Sequence, residues 1–131
     1  MLVRITACKR GPDAAPLTVL PTIWLRNTWS IGSERSPKPQ MILAKQAVKI
    51  SHDDLGHYYF FADGNTDWLF CENETNNQRL YQTPNAGATC KDGINDFVVH
   101  GDRAALNTAP SGTKAAALFQ TVIPAGAPIF W

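Results

Sequence analysis

Cysteine is scarce and scattered. Cys8, Cys71 and Cys90 make an odd count of three, and no two of them form a CxxC pair. That spacing supplies neither a zinc site nor a disulfide framework. Charge of one sign is lacking too: twelve Lys and Arg face eleven Asp and Glu, for a formal net charge of +1, and no basic run occurs. A nucleic-acid binder advertises itself by a basic patch or stripe, so that class of partner drops out. No apolar run approaches the ~20 residues a spanning helix requires, and Met1-Leu2-Val3-Arg4-Ile5 has no apolar leader region. A reducing cytoplasm, with no membrane partner, is the expected setting. Gly11, Gly87 and Gly112 are isolated and build no phosphate loop, and no serine or cysteine stands in a nucleophile elbow. His52, His57 and His100 lack the i, i+4 spacing of a helical metal site. Neither a metal nor a cofactor follows from this sequence.

What is present is a globular composition, 44% hydrophobic and 18% charged, on a chain of 131 residues. That length suits one domain, or part of one, with a single core. Alternation over Leu2 to Lys9 and again over Lys114 to Ile123 predicts strands. The turn Arg10-Gly11-Pro12-Asp13 suggests that Leu2–Lys9 pairs in a hairpin with a second strand over Leu17–Leu25, with Pro21 marking an edge or a bulge. Ser33 to Gln40, with Pro37 and Pro39, reads as a surface linker. Met41 to Ser51 holds one or two short strands. His57 to Ala62 is aromatic on both faces, as a central sandwich strand would be, and Asp63-Gly64-Asn65 predicts a tight hairpin turn into Trp68–Cys71. Ile94, Phe97 and Val98 fall at helical spacing between Asp92 and Gly101, predicting one short helix over Asp92–His100. Many short strands and one helix make an antiparallel, mostly-β sandwich over residues 1–131.

The sharpest feature follows the strand Trp68–Cys71. Glu72, Asn73, Glu74, Thr75, Asn76 and Asn77 crowd two carboxylates and three carboxamides into six residues, with Arg79 just beyond. Such residues bond their own backbone, which predicts an ordered loop pinned by Arg79 and the amides. Glu72 and Glu74 are also the one candidate acid/base pair, since glycoside hydrolysis uses two carboxyl groups. Two acids two residues apart project alike and straddle a substrate poorly. Trp24, Trp29 and Trp68 offer either a sugar-stacking platform or core packing. Asp92 and Asp96, one helical turn apart, suit capping and solvent. Asn73-Glu74-Thr75 matches the glycosylation sequon, a coincidence in a chain without a secretory leader.

Four stretches carry a resemblance to a known family. They are Arg26-Asn27-Thr28-Trp29-Ser30; Leu69-Phe70-Cys71-Glu72-Asn73-Glu74-Thr75-Asn76 with Arg79-Leu80; Lys91-Asp92; and Gly112-Thr113-Lys114-Ala115-Ala116-Ala117. In order and spacing they resemble the N-terminal portion of bacterial mannosylglycerate-hydrolase-like glucosidases of glycoside hydrolase family 63. The sequence departs from that pattern at Cys71, where a Thr is expected, and at Ile31, where an aromatic is expected. The resemblance implies a segment of a β-supersandwich that lies against an (α/α)6 barrel. It also implies that the barrel, which this sequence does not include, holds the catalytic carboxylates. No catalytic residue is therefore expected here.

Arg26, Asn27, Trp29, Glu72, Asn73, Glu74, Asn76, Arg79 and Lys114 become candidates for a carbohydrate or domain interface. Three readings follow. The first is a non-catalytic sandwich segment of a glucosidase-like protein, inactive alone. The second is a free-standing carbohydrate-binding module that takes an oligosaccharide through Trp29, Arg26 and the Asn-rich loop. The third is a small enzyme using Glu72 and Glu74. A strand at the very start of the chain also suggests an unpaired edge and self-association.

Overall fold

The computed structural model describes residues 1–30, 36–64 and 66–131. The expected mostly-β, antiparallel sandwich is what forms. One sheet is built on the central strand β9 (Lys114–Ile123). On one side β9 pairs with β2 (Ala15–Val19) and β3 (Thr22–Trp24), and on the other with β7 (Asp67–Cys71). The second sheet has the order β6–β5–β4–β8: Gly56–Phe61, Ala47–His52, Gln40–Ala44 and Ser111–Gly112. The pair β1 (Thr6–Cys8) and β10 (Pro128–Phe130) forms a separate two-stranded ribbon.

Two cores explain the hydrophobic pattern. Met41, Val48 and Ile50 of the second sheet meet Phe70 and Ala115 of the first, with Trp68 and Phe60 packed at the margin. The opposite face of the first sheet, Leu69, Cys71 and Ala116, meets Ile94 and Leu106. Ile94, Phe97 and Val98 lie on α2 (Gly93–His100), the helix that the spacing predicts. β7 and the alanines of β9 are thus covered on both faces, which is why Trp68–Cys71 reads as a continuous apolar run rather than an alternating one. Burial of each large side chain in such a core stabilises by about 1.5–3 kcal/mol.

Several local expectations change. The N-terminal strand pairs with β10, not with the following segment, so it forms no hairpin with that segment; in the two-stranded ribbon its other edge has no ladder partner among the described residues. β2 and β3 instead run along β9 with one register, broken at Leu20–Pro21, where the Pro21 carbonyl accepts the Ala117 N–H at 3.0 Å. Proline has no N–H for the ladder, so the strand breaks there. β6 is an edge strand rather than a central one, with Tyr58, Tyr59 and Phe61 exposed. Its connection to β7 crosses between the two sheets and is not a hairpin. Gly64 holds φ at 73° there, and Asn65 lies outside the described residues. The polar loop also ends sooner than its composition suggests, in a five-residue helix, α1 (Asn77–Tyr81). A further 3₁₀ turn covers Arg103–Ala105.

The chain changes sheets at Thr113. Ser111 and Gly112 pair with β4, and Lys114 already pairs with β7. Gly112 permits this close passage: a Cβ there would lie 2.6 Å from the Cys71 carbonyl oxygen and 2.9 Å from Asn107 Nδ2. No helix among the described residues is long and apolar enough to cross a membrane.

Candidate functional site

Where β7 ends, its chain enters a cluster of polar side chains drawn from five segments. Asn73 is fixed first. Its N–H donates to Thr113 Oγ1 at 2.7 Å, and its Nδ2 donates to the Leu25 carbonyl at 2.8 Å. The nitrogen that glycosylation would need is thus already hydrogen-bonded. With Asn73 held, Glu72 and Glu74 project into the cluster on either side of it.

Glu74 is buried, 8% exposed, yet every donor near it is matched. Oε1 accepts from Trp29 Nε1 at 2.7 Å, and Oε2 accepts from Asn27 Nδ2 at 3.0 Å. Asn27 is oriented in turn by Ser30, whose N–H and hydroxyl both donate to Asn27 Oδ1 at 3.1 and 2.7 Å. Glu72 accepts from Asn107 Nδ2 at 2.9 Å on one oxygen and from Thr113 Oγ1 at 2.9 Å on the other. Asn107 is itself held by the hydroxyl of buried Thr89 at 2.5 Å. Lys38 bridges the two acids, its Nζ lying 2.8 Å from Glu72 Oε2 and 3.2 Å from Glu74 Oε1.

Electrostatics follow from that geometry. Burial pushes both carboxyls up, but the bonds they accept outweigh it. Glu72 is held below the ordinary carboxylate range by Lys38, Asn107 and Thr113, and Glu74 by Trp29, Asn27 and Lys38. Burial works to lower Lys38, and the hydrogen bonds and charges of the two acids more than reverse it. All three groups are ionised at neutral pH. A general acid holds a proton near neutrality, the opposite of the direction in which these contacts push the two carboxyls.

A second cluster lies beyond Glu74, around α1 and the start of α2. Asn76 caps α1 by accepting the Arg79 N–H at 3.1 Å, while its Nδ2 donates to Asp92 at 3.0 Å. Arg79 does not pin Glu72 and Glu74, as its place in the sequence suggests. Its guanidinium bonds Asp92 at 2.5 Å and Asp96 at 2.7 Å. Asp92 stands at the N-cap position of α2, but its carboxylate makes no cap bond and serves Asn76 and Arg79 instead. An open cleft of about 530 Å³ runs beside these groups, lined in part by Asn76, Arg79, Asn85, Asp92 and Asp96.

The other candidates separate. Lys114 Nζ donates to the Lys91 carbonyl at 2.6 Å. The Arg26 side chain is exposed. The three tryptophans do not share a platform: Trp29 is buried on Glu74, Trp68 packs edge-on against Phe60 in the inter-sheet core, and Trp24 is 57% exposed on β3. His52 receives the Asp54 and Leu55 N–H groups in a turn, and His57 contacts Ser51. Sequence reasoning missed Lys38, Asn107 and Thr113. Among these, Lys38 alone left a trace, as the one cation between Pro37 and Pro39 in the stretch read as a linker.

No family model matches the chain, and no solved structure matches it. Among curated proteins it is similar to the uncharacterized protein YMR196W of Saccharomyces cerevisiae, with 25% identity over 144 residues. The match covers 88% of this chain and 13% of that protein, so the chain spans about one-eighth of the relative's length.

Proposed function

We propose that the chain is a non-catalytic β-sandwich segment of a glucosidase-like glycoside hydrolase, packing against and supporting a catalytic (α/α)6 barrel in cytoplasmic carbohydrate metabolism. The observation that carries this reading is the commitment of Glu72 and Glu74. Each carboxylate oxygen is taken by a donor of the chain itself, and Lys38 bridges the pair. A carboxylate satisfied in this way holds a loop; it does not wait for a glycosidic bond. The short span along the yeast relative is in keeping with a segment of something longer. The barrel as partner rests on the four resembling stretches around Trp29, Glu74, Lys91 and Thr113.

The test is to assay the purified chain against gluco- and mannosyl-glycosides and to co-express it with a family 63-type barrel. No turnover by the chain alone, with co-purification of the barrel, is the expected outcome. Turnover by the chain alone, abolished by Glu74→Gln, would overturn it. A second reading, a free-standing carbohydrate-binding module, draws on the open cleft beside Asn76, Asn85 and Arg79, whose amides and charges suit sugar hydroxyls. Saturable amide shifts at Asn76 and Asn85 on addition of oligosaccharide would bring that reading to the front.

A further inference from the structure

An edge strand presents a row of free N–H and C=O groups, and proteins blunt such edges with short strands, prolines, charges or covering segments. Most edges here carry such a device. β8 is two residues long and ends where the chain leaves for the other sheet. The β2–β3 lane contains Pro16 and is broken at Pro21. On β7 the Phe70 carbonyl is taken by the Asn107 N–H at 2.8 Å. The β1–β10 ribbon consists of three-residue strands, with Pro128 in one of them.

Among the described residues, β6 has none of these protections. It ends its sheet, and Gly56-His57-Tyr58-Tyr59-Phe60-Phe61 contains no Lys, Arg, Asp, Glu or Pro. Tyr58, Tyr59 and Phe61 are 54%, 56% and 71% exposed, and the Tyr59 ring stacks on Phe61 with centroids 6.2 Å apart. Leu55, just before the strand, extends the apolar surface at 53% exposure.

We propose that β6 is a self-association edge, at which two copies of the chain pair their β6 strands antiparallel about a two-fold axis and join their sheets into one. A second copy fits this edge for three reasons. Run antiparallel against itself, the strand sets aromatic residues opposite aromatic residues or histidine, which are favourable cross-strand pairs. It carries no Asp, Glu, Lys or Arg to place like charges opposite each other. The opposite edge of the same sheet, at β8, is closed off, so an isologous pairing stops at the dimer instead of running on as a fibre. Asp53 and Asp54 before the strand meet Asp63 of the other copy beyond its far end, a repulsion that salt screens.

The dimer is weak. A fully covered aromatic buries ~150–250 Å², so three that are about half exposed offer roughly 300 Å² per copy against the ~800 Å² of a stable interface. A dissociation constant of about 10 μM to 1 mM is expected for so small a contact. Sedimentation equilibrium of the 131-residue chain across that range, with amide hydrogen exchange over residues 56–61, tests the proposal. The expected result is a monomer–dimer equilibrium that tightens with salt and protects β6 amides as concentration rises. Phe61→Lys, or Tyr59→Lys as an independent variant, should weaken dimerisation at least tenfold; Phe61→Lys, opposite Ala47, should leave the thermal melt of the monomer close to the parent's, whereas Tyr59→Lys, opposite Lys49, should lower it slightly. A chain that stays monomeric at millimolar concentration would overturn the proposal. So would a dimer that protects a segment other than β6, or one indifferent to both lysine variants.

Discussion

Replacing Glu74 with Gln keeps the shape of the side chain and removes one acceptor, which makes the cost calculable. If the new NH₂ takes the Oε1 position, it faces both Trp29 Nε1 and Lys38 Nζ, two donors. If it takes the Oε2 position, it faces Asn27 Nδ2. Asn27 cannot turn over to help, because its own Oδ1 already accepts the Ser30 N–H and hydroxyl. The second placement is cheaper and still leaves one donor–donor contact at a buried residue, worth about 1–3 kcal/mol. The hydrogen bond that survives is no longer charge-assisted. The lost pairing with Lys38, whose side chain is 48% exposed, adds less than about 1 kcal/mol after screening. A total of about 2–3 kcal/mol is expected, equivalent to a fall in Tm of roughly 7–11 °C for a chain of this size. Calorimetry measures the fall, and the indole N–H resonance of Trp29 should move upfield as its partner weakens. Glu72→Gln should cost less, because the Glu72 side chain is 21% exposed against 11% for Glu74, so water can relieve the donor that the new NH₂ opposes. A Tm within about 2 °C of the parent for Glu74→Gln, or a larger loss for Glu72→Gln, would refute the reasoning.

The pH profile follows from the same groups. Glu72 and Glu74 have folded pKa values depressed below the unfolded value of about 4.3, so their contribution is complete above that value and is lost as pH falls through the folded values. Tm should be flat from about pH 5 to 8 and drop below about pH 4; in Lys38→Met, which raises both folded pKa values toward the unfolded one, the plateau should be lower and the acid drop smaller. Gly112→Ala forces a Cβ to 2.6 Å from a backbone oxygen and should destabilise by roughly 1–3 kcal/mol, read by denaturant unfolding. Burial pushes the Cys71 thiol up to about 11 and raises Cys90 as well, while Cys8 is exposed. A thiol-reactive dye at pH 8 should therefore label Cys8 rapidly in the native chain and reach Cys71 and Cys90 only after unfolding.

Those features that the sequence made legible were local. The switch from Trp68–Cys71 to Glu72–Asn76 marks the end of β7, and the spacing of Ile94, Phe97 and Val98 marks α2, because each is a property of neighbouring residues. Strand partners were not legible. β1 finds β10 at the far end of the chain, and no periodicity encodes that choice. β6 misled for a related reason: aromatics on both faces describe a buried strand and an open edge equally well, and only the crossing after Phe61 decides. Arg79 misled because nearness in sequence is not nearness in space. Once α1 starts at Asn77, its guanidinium reaches α2 rather than the acids behind it.

Thr113 shows why the polar cluster and the sandwich cannot be separated. Its side chain is 2% exposed at the point where the chain passes from one sheet to the other, and a threonine in that place needs its hydroxyl satisfied twice. It accepts the Asn73 N–H and donates to Glu72, so the sheet crossing and the carboxylate fix each other. Lys38, on the segment leading into β4, adds the second sheet to the same contact through Glu72 and Glu74. A substitution anywhere in this set is therefore felt at the junction of both sheets. The acids stand where the architecture converges its donors, and those donors are why burial does not raise their pKa values.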